Sequence, residues 1–451
     1  MTVILACNIP LIAAFYPGIV AWDCEYELEM ALGCIPASTH HPPFHMLLLG
    51  FLWRIGGENG LFFLVVIQFV LYAYAVARTA ETSIQLGLRK TIALAFVAFA
   101  AVFPFAISRE LSLYKDALFL SFAMLLACDI VRISFGLHEK QKNPKCERAL
   151  LCTRTVVLAI FVTTLRNDGI FIVVVFMTLS AFLSKNTRCI AIVSATTSLT
   201  LSLMLTAIVW PALGIAPGSK GEALSLPIQQ IARIFNLHEE APENDAFPGI
   251  DKAMNAQAAG DAYNPYFADP AKGAWRNVDG AAEGFLKSWV SYGIQYPADF
   301  AEAAWSMWAG YLAPWPANLN GHEEDTFQLT HRSDYDESAA VVVNSPEVSA
   351  PLRSLYTLYC KAWTKVPIFS IFSNPGIYTW ILAISLSCLL RGKKKGAGKN
   401  LLALAMQFLV LGICLLSPVA ACMRYYLPAA MMTPLALGSV ANIKQESCNK
   451  A

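Results

Sequence analysis

Charge is what this sequence has least of. Only 14% of its 451 residues are Asp, Glu, Lys or Arg, against roughly 25% in a soluble chain of average composition. The shortfall argues against an ordinary soluble protein and points to lipid as the solvent. A net charge of +1 gives no bulk electrostatic pull toward nucleic acid, so no nucleic-acid partner is expected. No Cys-x-x-Cys pair occurs, so no zinc ribbon or thioredoxin-like motif is visible. There is also no Asn-x-Ser/Thr sequon with a non-proline middle residue, which favours a bacterial protein over a secretory-pathway one. Repeats of solenoid period, and the inverted symmetry common in transporters, are lacking too.

Cysteine is not scarce, at twelve. Cys7, Cys128, Cys152, Cys189, Cys388 and Cys414 lie in apolar runs, where the residue acts as a small hydrophobe. Cys24 and Cys34 share one loop and could pair in an oxidising compartment, although spacing alone does not establish the geometry.

What is abundant is apolar sequence, at 56% hydrophobic residues with a mean hydropathy of +0.49. A spanning helix needs about 20 mainly apolar residues. Runs approaching that requirement cover Thr2–Phe15, Gly60–Ala77, Thr91–Ile107, Ala117–Phe135, Ala149–Leu165, Gly169–Leu183, Cys189–Leu213, Pro367–Leu390, Leu401–Ala421 and Tyr425–Ala441. The expected fold is therefore mainly α, a polytopic membrane protein of about ten spans. The first run starts at Met1 and is short, so either it tilts or upstream sequence is missing. Phe44–Ile55 is apolar but too short to span, and the positive-inside rule decides its place. With this segment lying in the interface, seventeen Lys and Arg fall in cytoplasmic connections, including Lys140, Lys142, Lys393, Lys394, Lys395 and Lys450. Five remain outside: Arg54, Arg109, Lys115, Arg166 and Arg424. Both termini are thus expected inside, in a bacterial plasma membrane, with residues 214–366 extracytoplasmic.

Three units follow: an N-terminal membrane module (1–213) with an acidic first outer loop (16–59), an outer domain (214–366) and a C-terminal membrane module (367–451). The outer domain should be mostly helical and irregular. Leu226–Leu237 and Ala281–Tyr311 read as helices, the second broken near Pro297, while His238–Gly280 reads as extended loop. Aromatics crowd the second helix, which suits either the membrane interface or a packed soluble element.

Ionisable residues at outer helix ends are expensive, and each is a functional candidate. The first outer loop carries Asp23, Glu25, Glu27 and Glu29 with no basic residue nearby, and on a helix Asp23 and Glu27 share a face. Such a pair could bind a cation, hold a hydroxyl or serve as acid and base. The plainer reading is a solvated acidic loop. His40 and His41 precede two prolines and suit a structural corner better than metal ligation. The other outer connections supply cations: Arg109, Lys115 and Asp116 in SRELSLYKD, Arg166, Asn167 and Asp168 in LRNDG, Gln230 and Arg233 in LPIQQIAR, and Arg424 with Tyr425. Snorkelling anchors account for one or two of these but poorly for three adjacent polar residues. Cations could hold the phosphate of a lipid carrier while a carboxylate activates an acceptor hydroxyl.

The loop pattern Tyr16-Pro17-Gly18, Asp23, Glu27, His41-Pro42-Pro43 resembles the GT-C superfamily of membrane glycosyltransferases. The chain is closer still to an uncharacterised bacterial multi-pass family placed beside it, through YKDALF (Tyr114–Phe119), LRNDG (Leu165–Gly169), LPIQQIAR (Leu226–Arg233), YNPYFADPAK (Tyr263–Lys272), the series from Trp289 to Pro314 and SPVAACMRYYLP (Ser417–Pro428). The resemblance implies a GT-C-like helical fold and sugar transfer from a polyprenyl-phosphate donor to an extracytoplasmic glycan or lipid acceptor of the cell envelope. It casts Asp23 as the catalytic or metal-binding carboxylate, with a divalent cation such as Mg or Mn as the cofactor that would implicate it. From position, Arg166 and Arg424 are candidate phosphate partners. Glu27 stands where the close family often has glutamine. Two other functions stay open: a transporter or flippase of lipid-linked saccharides, and a non-catalytic envelope assembly protein.

Overall fold

The computed structural model describes residues 1–137, 144–238, 248–314, 327–334, 336–391 and 397–448. The basic residues Lys140, Lys142, Lys393, Lys394, Lys395 and Lys450, on which the orientation leaned, lie outside the described residues. Within them the protein is mainly helical, and its only β features are four isolated bridges.

The first half runs α1 (Thr2–Ala14), α2 (Trp22–Leu32), α3 (Pro43–Gly56), α4 (Glu58–Gln85), α5 (Lys90–Val102), α6 (Pro104–Leu111), α7 (Lys115–Phe135), α8 (Pro144–Leu165), α9 (Gly169–Leu183) and α10 (Arg188–Met204). Among the described residues, four helices are long and apolar enough to cross a membrane: Glu58–Gln85, Lys115–Phe135, Arg188–Ala212 and Gly398–Leu415. Two bent pairs raise the number to six, Lys90–Val102 with Pro104–Leu111 at 49° and Pro367–Ser373 with Pro375–Arg391 at 69°. This is a membrane protein by its helices, but the expected ten spans are not reached. The expected Tyr425–Ala441 span is broken at Met432, between Met423–Met431 and Thr433–Cys448, and three others are too short. Both bends fall at a proline, which has no N–H to donate and forces the residue before it out of the helical region; Phe103, for example, has φ −66° and ψ 111°. Thr2–Ala14, Ala149–Leu165 and Gly169–Leu183 are apolar but shorter.

Helix α7 is the axis of the bundle, its apolar stretch almost wholly buried, whereas Arg188–Ala212 is left largely uncovered by the rest of the protein. Helices α3 and α4 make a tight hairpin. Gly57 turns it at φ +53°, and a Cβ on Gly60 would stand 2.0 Å from the Leu52 carbonyl oxygen. The segment expected to lie in the interface is thus a helix folded back on the first long span.

Residues 214–366 serve two cores. Ser225–Leu237 and Ala281–Gln295 pack with Ile250, Met254 and Ala259 around Phe285, while Phe327, Val343, Tyr356 and Trp363 join the main bundle. The expected helices are present, Ser225–Leu237 and then Ala281–Gln295 and Pro297–Leu312 on either side of the proline break. The expected loop is not uniformly extended. It contains Pro248–Ala253, Ala256–Asp261 and Asp269–Lys272, short turns whose alanines fit the gap beneath the longer helices. The disulfide is absent too: Cys24 and Cys34 are both free thiols. The Cys24 Sγ donates to the Ala21 carbonyl oxygen at 3.0 Å instead.

Candidate functional site

The acidic loop becomes α2. Asp23 and Glu25 in its first turn suit the positive end of the helix dipole. Gly33, at φ +82°, closes it, with Gly33 N–H on Met30 and Cys34 N–H on Glu29. Successive helical residues turn by about 100°. Asp23 and Glu27 therefore face one way, and Glu25 and Glu29 nearly the opposite way.

On the first face, Lys115 at the start of α7 is the hub. Its Nζ lies 3.3 Å from Asp23 Oδ2, 3.3 Å from Glu27 Oε1 and 3.4 Å from His41 Nδ1. Asp23 also accepts from Arg424 Nη2 at 2.8 Å. Arg424 Nε lies 3.3 Å from Asp116 Oδ2, and Asp116 Oδ1 accepts from Arg166 Nη1 at 2.6 Å. Arg166 completes the chain with paired bonds of 2.8 and 2.9 Å to Asp168. The Tyr425 ring stands 5.2 Å from the Arg166 guanidinium and 4.9 Å from that of Arg424. Asn167 ties this turn to the loop after α2 through the carbonyls of Thr39 and His40, each at 3.0 Å. A Cβ on Gly169, the next helix's first residue, would meet the Val162 carbonyl oxygen at 2.0 Å, so α8 and α9 approach too closely for a side chain there.

Thus Asp23, Glu27, His41, Lys115, Asp116, Arg166, Asn167, Asp168, Arg424 and Tyr425, scattered over four hundred residues of sequence, are brought together. Arg109 adjoins them through the Tyr114 ring, 4.6 Å from its guanidinium, with Arg424 at 4.8 Å from the same ring. Gln230 and Arg233 are not brought in by their contacts. Gln230 bonds the Phe300 carbonyl and the Trp289 indole, and Arg233 pairs with Asp299 and Glu302. Their partners all lie within residues 214–366.

A model of one protein family matches residues 38–451. The chain belongs to DUF6020, a family of unknown function. No curated protein and no solved structure matches it. The stretch shared with DUF6020 contains Lys115, Asp116, Arg166 and Arg424, while α2 with Asp23 and Glu27 precedes it.

Electrostatics on the first face of α2 favour ionised carboxylates. Burial pushes the Asp23 carboxyl up, but Lys115, Arg424 and His41 overcome it and hold it well below the usual range. Glu27, 1% exposed, is likewise lowered: burial opposes ionisation, and His45 and Lys115 outweigh it. His41 goes down to about 4, through burial first and Lys115 second. The partners of Asp23 are cations, and among the described residues no group of three or more His, Cys, Asp and Glu is arranged as metal ligands.

Two features of this DUF6020 chain were missed in the sequence. His45, 0% exposed, bonds Glu27 through Nδ1, but it sat within an apolar run. The opposite face of α2 is also a site of convergence. Residues 327–334 and 336–349 form a strap across it, held by Arg332 N–H on the Val20 carbonyl at 2.9 Å and by Val20 N–H on His331 Nδ1 at 3.1 Å. The Arg332 guanidinium lies 4.6 Å from the Trp22 ring and 4.5 Å from the Tyr26 ring. It stands 3.8 Å from Glu25 and 3.9 Å from Glu29. Glu25, 1% exposed, is pushed up to about 7, chiefly by burial, with Arg332 opposing and Glu29 adding to it. Beyond the strap lies a polar cavity of about 510 Å³ lined by His331, Asp334, Arg353 and Lys361 among others, and by no residue of the Lys115 cluster.

Proposed function

We propose that this protein is a membrane glycosyltransferase of GT-C type. It moves a sugar from a polyprenyl-phosphate donor to a glycan or lipid acceptor of the cell envelope, on the extracytoplasmic side of a bacterial plasma membrane. The observation that carries the reading is the contact of Asp23 with both Lys115 and Arg424, which puts a carboxylate and two cations from distant helices at one point. In the reaction the anomeric carbon–phosphate oxygen bond breaks, the acceptor oxygen bonds that carbon, and the acceptor proton passes to Asp23. Cations beside the departing phosphate stabilise the charge that develops there.

A carboxylate held as low as Asp23 is a weak base at rest. An arriving substrate anion would compete for Lys115, and the carboxyl would rise from its low value as that cation turned away. The short helices Thr2–Ala14, Ala149–Leu165 and Gly169–Leu183, if tilted or set in a thinned bilayer, would bring the spans closer to ten, with both termini cytoplasmic and 214–366 outside. The test is transfer from a synthetic polyprenyl-phosphate sugar by purified protein, together with labelling of a cysteine placed at position 23 from either side of the membrane. Absence of transfer with every donor offered, or labelling from the cytosol alone, ends the proposal.

One observation favours transport or flipping of a lipid-linked saccharide instead. Inside the apolar span of α7, Asp129 is 0% exposed and accepts from Arg154 Nε at 2.7 Å, and buried ion pairs within spans are a feature of substrate paths. Proteoliposomes that move the donor across the bilayer without consuming it would support this reading over transfer.

A further inference from the structure

The cluster holds four side-chain cations, and three of them are answered by carboxylates: Lys115 by Asp23 and Glu27, Arg166 by Asp116 and Asp168, and Arg424 by Asp23 and Asp116. The fourth is Arg109. It is 2% exposed and makes no ion pair among the described residues. Its Nε and Nη1 have no hydrogen-bond partner, and neither does the buried hydroxyl of Tyr114, the residue whose ring it covers. A cation–π contact offsets part of the cost of burying a guanidinium but gives its N–H groups no acceptor. Buried donors left open in a native fold call for an explanation, and a missing ligand is one. The adjoining Arg424 adds positive field at the same ring, so the missing acceptor is an anion.

We infer that Arg109, with the Tyr114 hydroxyl beside it, is the receptor for a substrate phosphate, while Arg166 and Arg424 hold the cluster's carboxylates in place. This rests on the transferase reading for the identity of the anion, and it reverses the assignment that position in the sequence suggests. Phosphate oxygens accept from guanidinium and hydroxyl donors alike. The strap passes beside this corner: the Phe327 ring lies tilted against that of Phe105 of α6 with centroids 4.7 Å apart, and the next residue, Gln328, accepts from Arg424 at 3.5 Å.

The experiment measures equilibrium binding and thermal unfolding of full-length protein in a maltoside detergent that carries no phosphate. The probes are a short-chain polyprenyl phosphate, the matching polyprenyl alcohol and inorganic phosphate, applied to the wild type, Arg109→Met and Arg166→Met. The wild type should bind the polyprenyl phosphate more tightly than the alcohol. Arg109→Met should weaken the phosphate at least about 100-fold, the loss expected for charge-assisted hydrogen bonds, and bind it no better than the alcohol. Without ligand, Arg109→Met should melt no lower than the wild type because a buried charge with open donors and no close ion pair has gone, whereas Arg166→Met should melt lower. Arg109-dependent binding of inorganic phosphate as well would assign the site to the free anion. Binding of the polyprenyl phosphate alone would assign it to the lipid headgroup. Wild-type affinity in Arg109→Met, no preference of the wild type for phosphate over alcohol, or destabilisation of ligand-free Arg109→Met to the level of Arg166→Met would each overturn the inference. Sugar transfer is scored separately, so its failure alongside Arg109-dependent phosphate binding would remove the transferase reading and leave the receptor standing.

Discussion

Asp23→Asn separates chemistry from architecture at the centre of the cluster. The side chain of Asp23 is 26% exposed, against 12% for Lys115 and 14% for Arg424. It sits between an exposed ion pair, worth about 0–1 kcal/mol, and a buried pair broken on one side, which costs about 3–5 kcal/mol. Neither cation is stranded by the change, since Lys115 keeps Glu27 and Arg424 keeps Asp116. A loss of about 2 kcal/mol is therefore expected. Spread over an unfolding entropy that grows with chain length, this lowers the melting temperature by about 2 °C. Even a fold of only about 5 kcal/mol would stay about 99% populated after that loss. Transfer should fall by about 10²- to 10⁴-fold, the range for a missing general base. The assay pairs thermal unfolding in detergent with radiolabelled sugar transfer from a polyprenyl-phosphate donor. Transfer within about threefold of wild type would refute the role given to Asp23, and collapse of the protein in the membrane would refute the stability estimate.

Three further outcomes are expected. His41 titrates at about 4 in the fold against an ordinary 6.5, so its contribution is present above pH 6.5 and lost as pH falls toward 4. Glu25 titrates at about 7 against an ordinary 4.5, so its contribution is present below pH 4.5 and lost as pH rises to 7. The slopes oppose one another between pH 4.5 and 6.5, each on the order of 3 kcal/mol over that window. Glu25→Gln should leave stability climbing with pH there and His41→Gln should leave it falling, as read by denaturant midpoints; parallel curves for the two variants would contradict both shifts. Arg166→Met leaves Asp116, 3% exposed, with Arg424 as its remaining cation, so it should cost less than the roughly 3–5 kcal/mol of a fully stranded buried charge, about 2 kcal/mol, with Asp116→Asn in the same chain recovering part of it; additive losses in the double-mutant cycle would mean that the pair is not coupled. Gly169→Ala drives a methyl into the Val162 carbonyl oxygen and should cost about 1–3 kcal/mol, with a loss of transfer because Arg166 and Asp168 ride on the same turn; unchanged melting would show that α8 and α9 separate freely.

The candidate cluster was legible because its residues break apolar context. Asp23 with Glu27, the Arg-Asn-Asp turn and Arg424 each interrupt a hydrophobic run, and charge in such a setting announces itself. Gln230 and Arg233 look the same in sequence yet lie on a helix that packs within its own core, where Trp289 and Asp299 occupy them. The Arg332 clamp was out of reach for another reason. Glu25 and Arg332 are three hundred residues apart, and no local pattern says which strand of irregular chain will cross α2. His45 hid inside an apolar helix, and Arg109 was one candidate cation among several until its neighbours were known to be committed elsewhere. Helix positions were readable from hydrophobicity, but the number of crossings was not, since hydrophobicity shows neither the break at Met432 nor how few turns helices such as Thr2–Ala14 make.

Because α2 carries acids on both flanks, its two sets of contacts share one rigid element. A helix moves as a stiff rod, so rolling it to carry Asp23 toward an incoming molecule swings Glu25 and Glu29 away from the guanidinium stacked on Trp22 and Tyr26. The strap would feel, as slack in its moorings, what happens on the far flank.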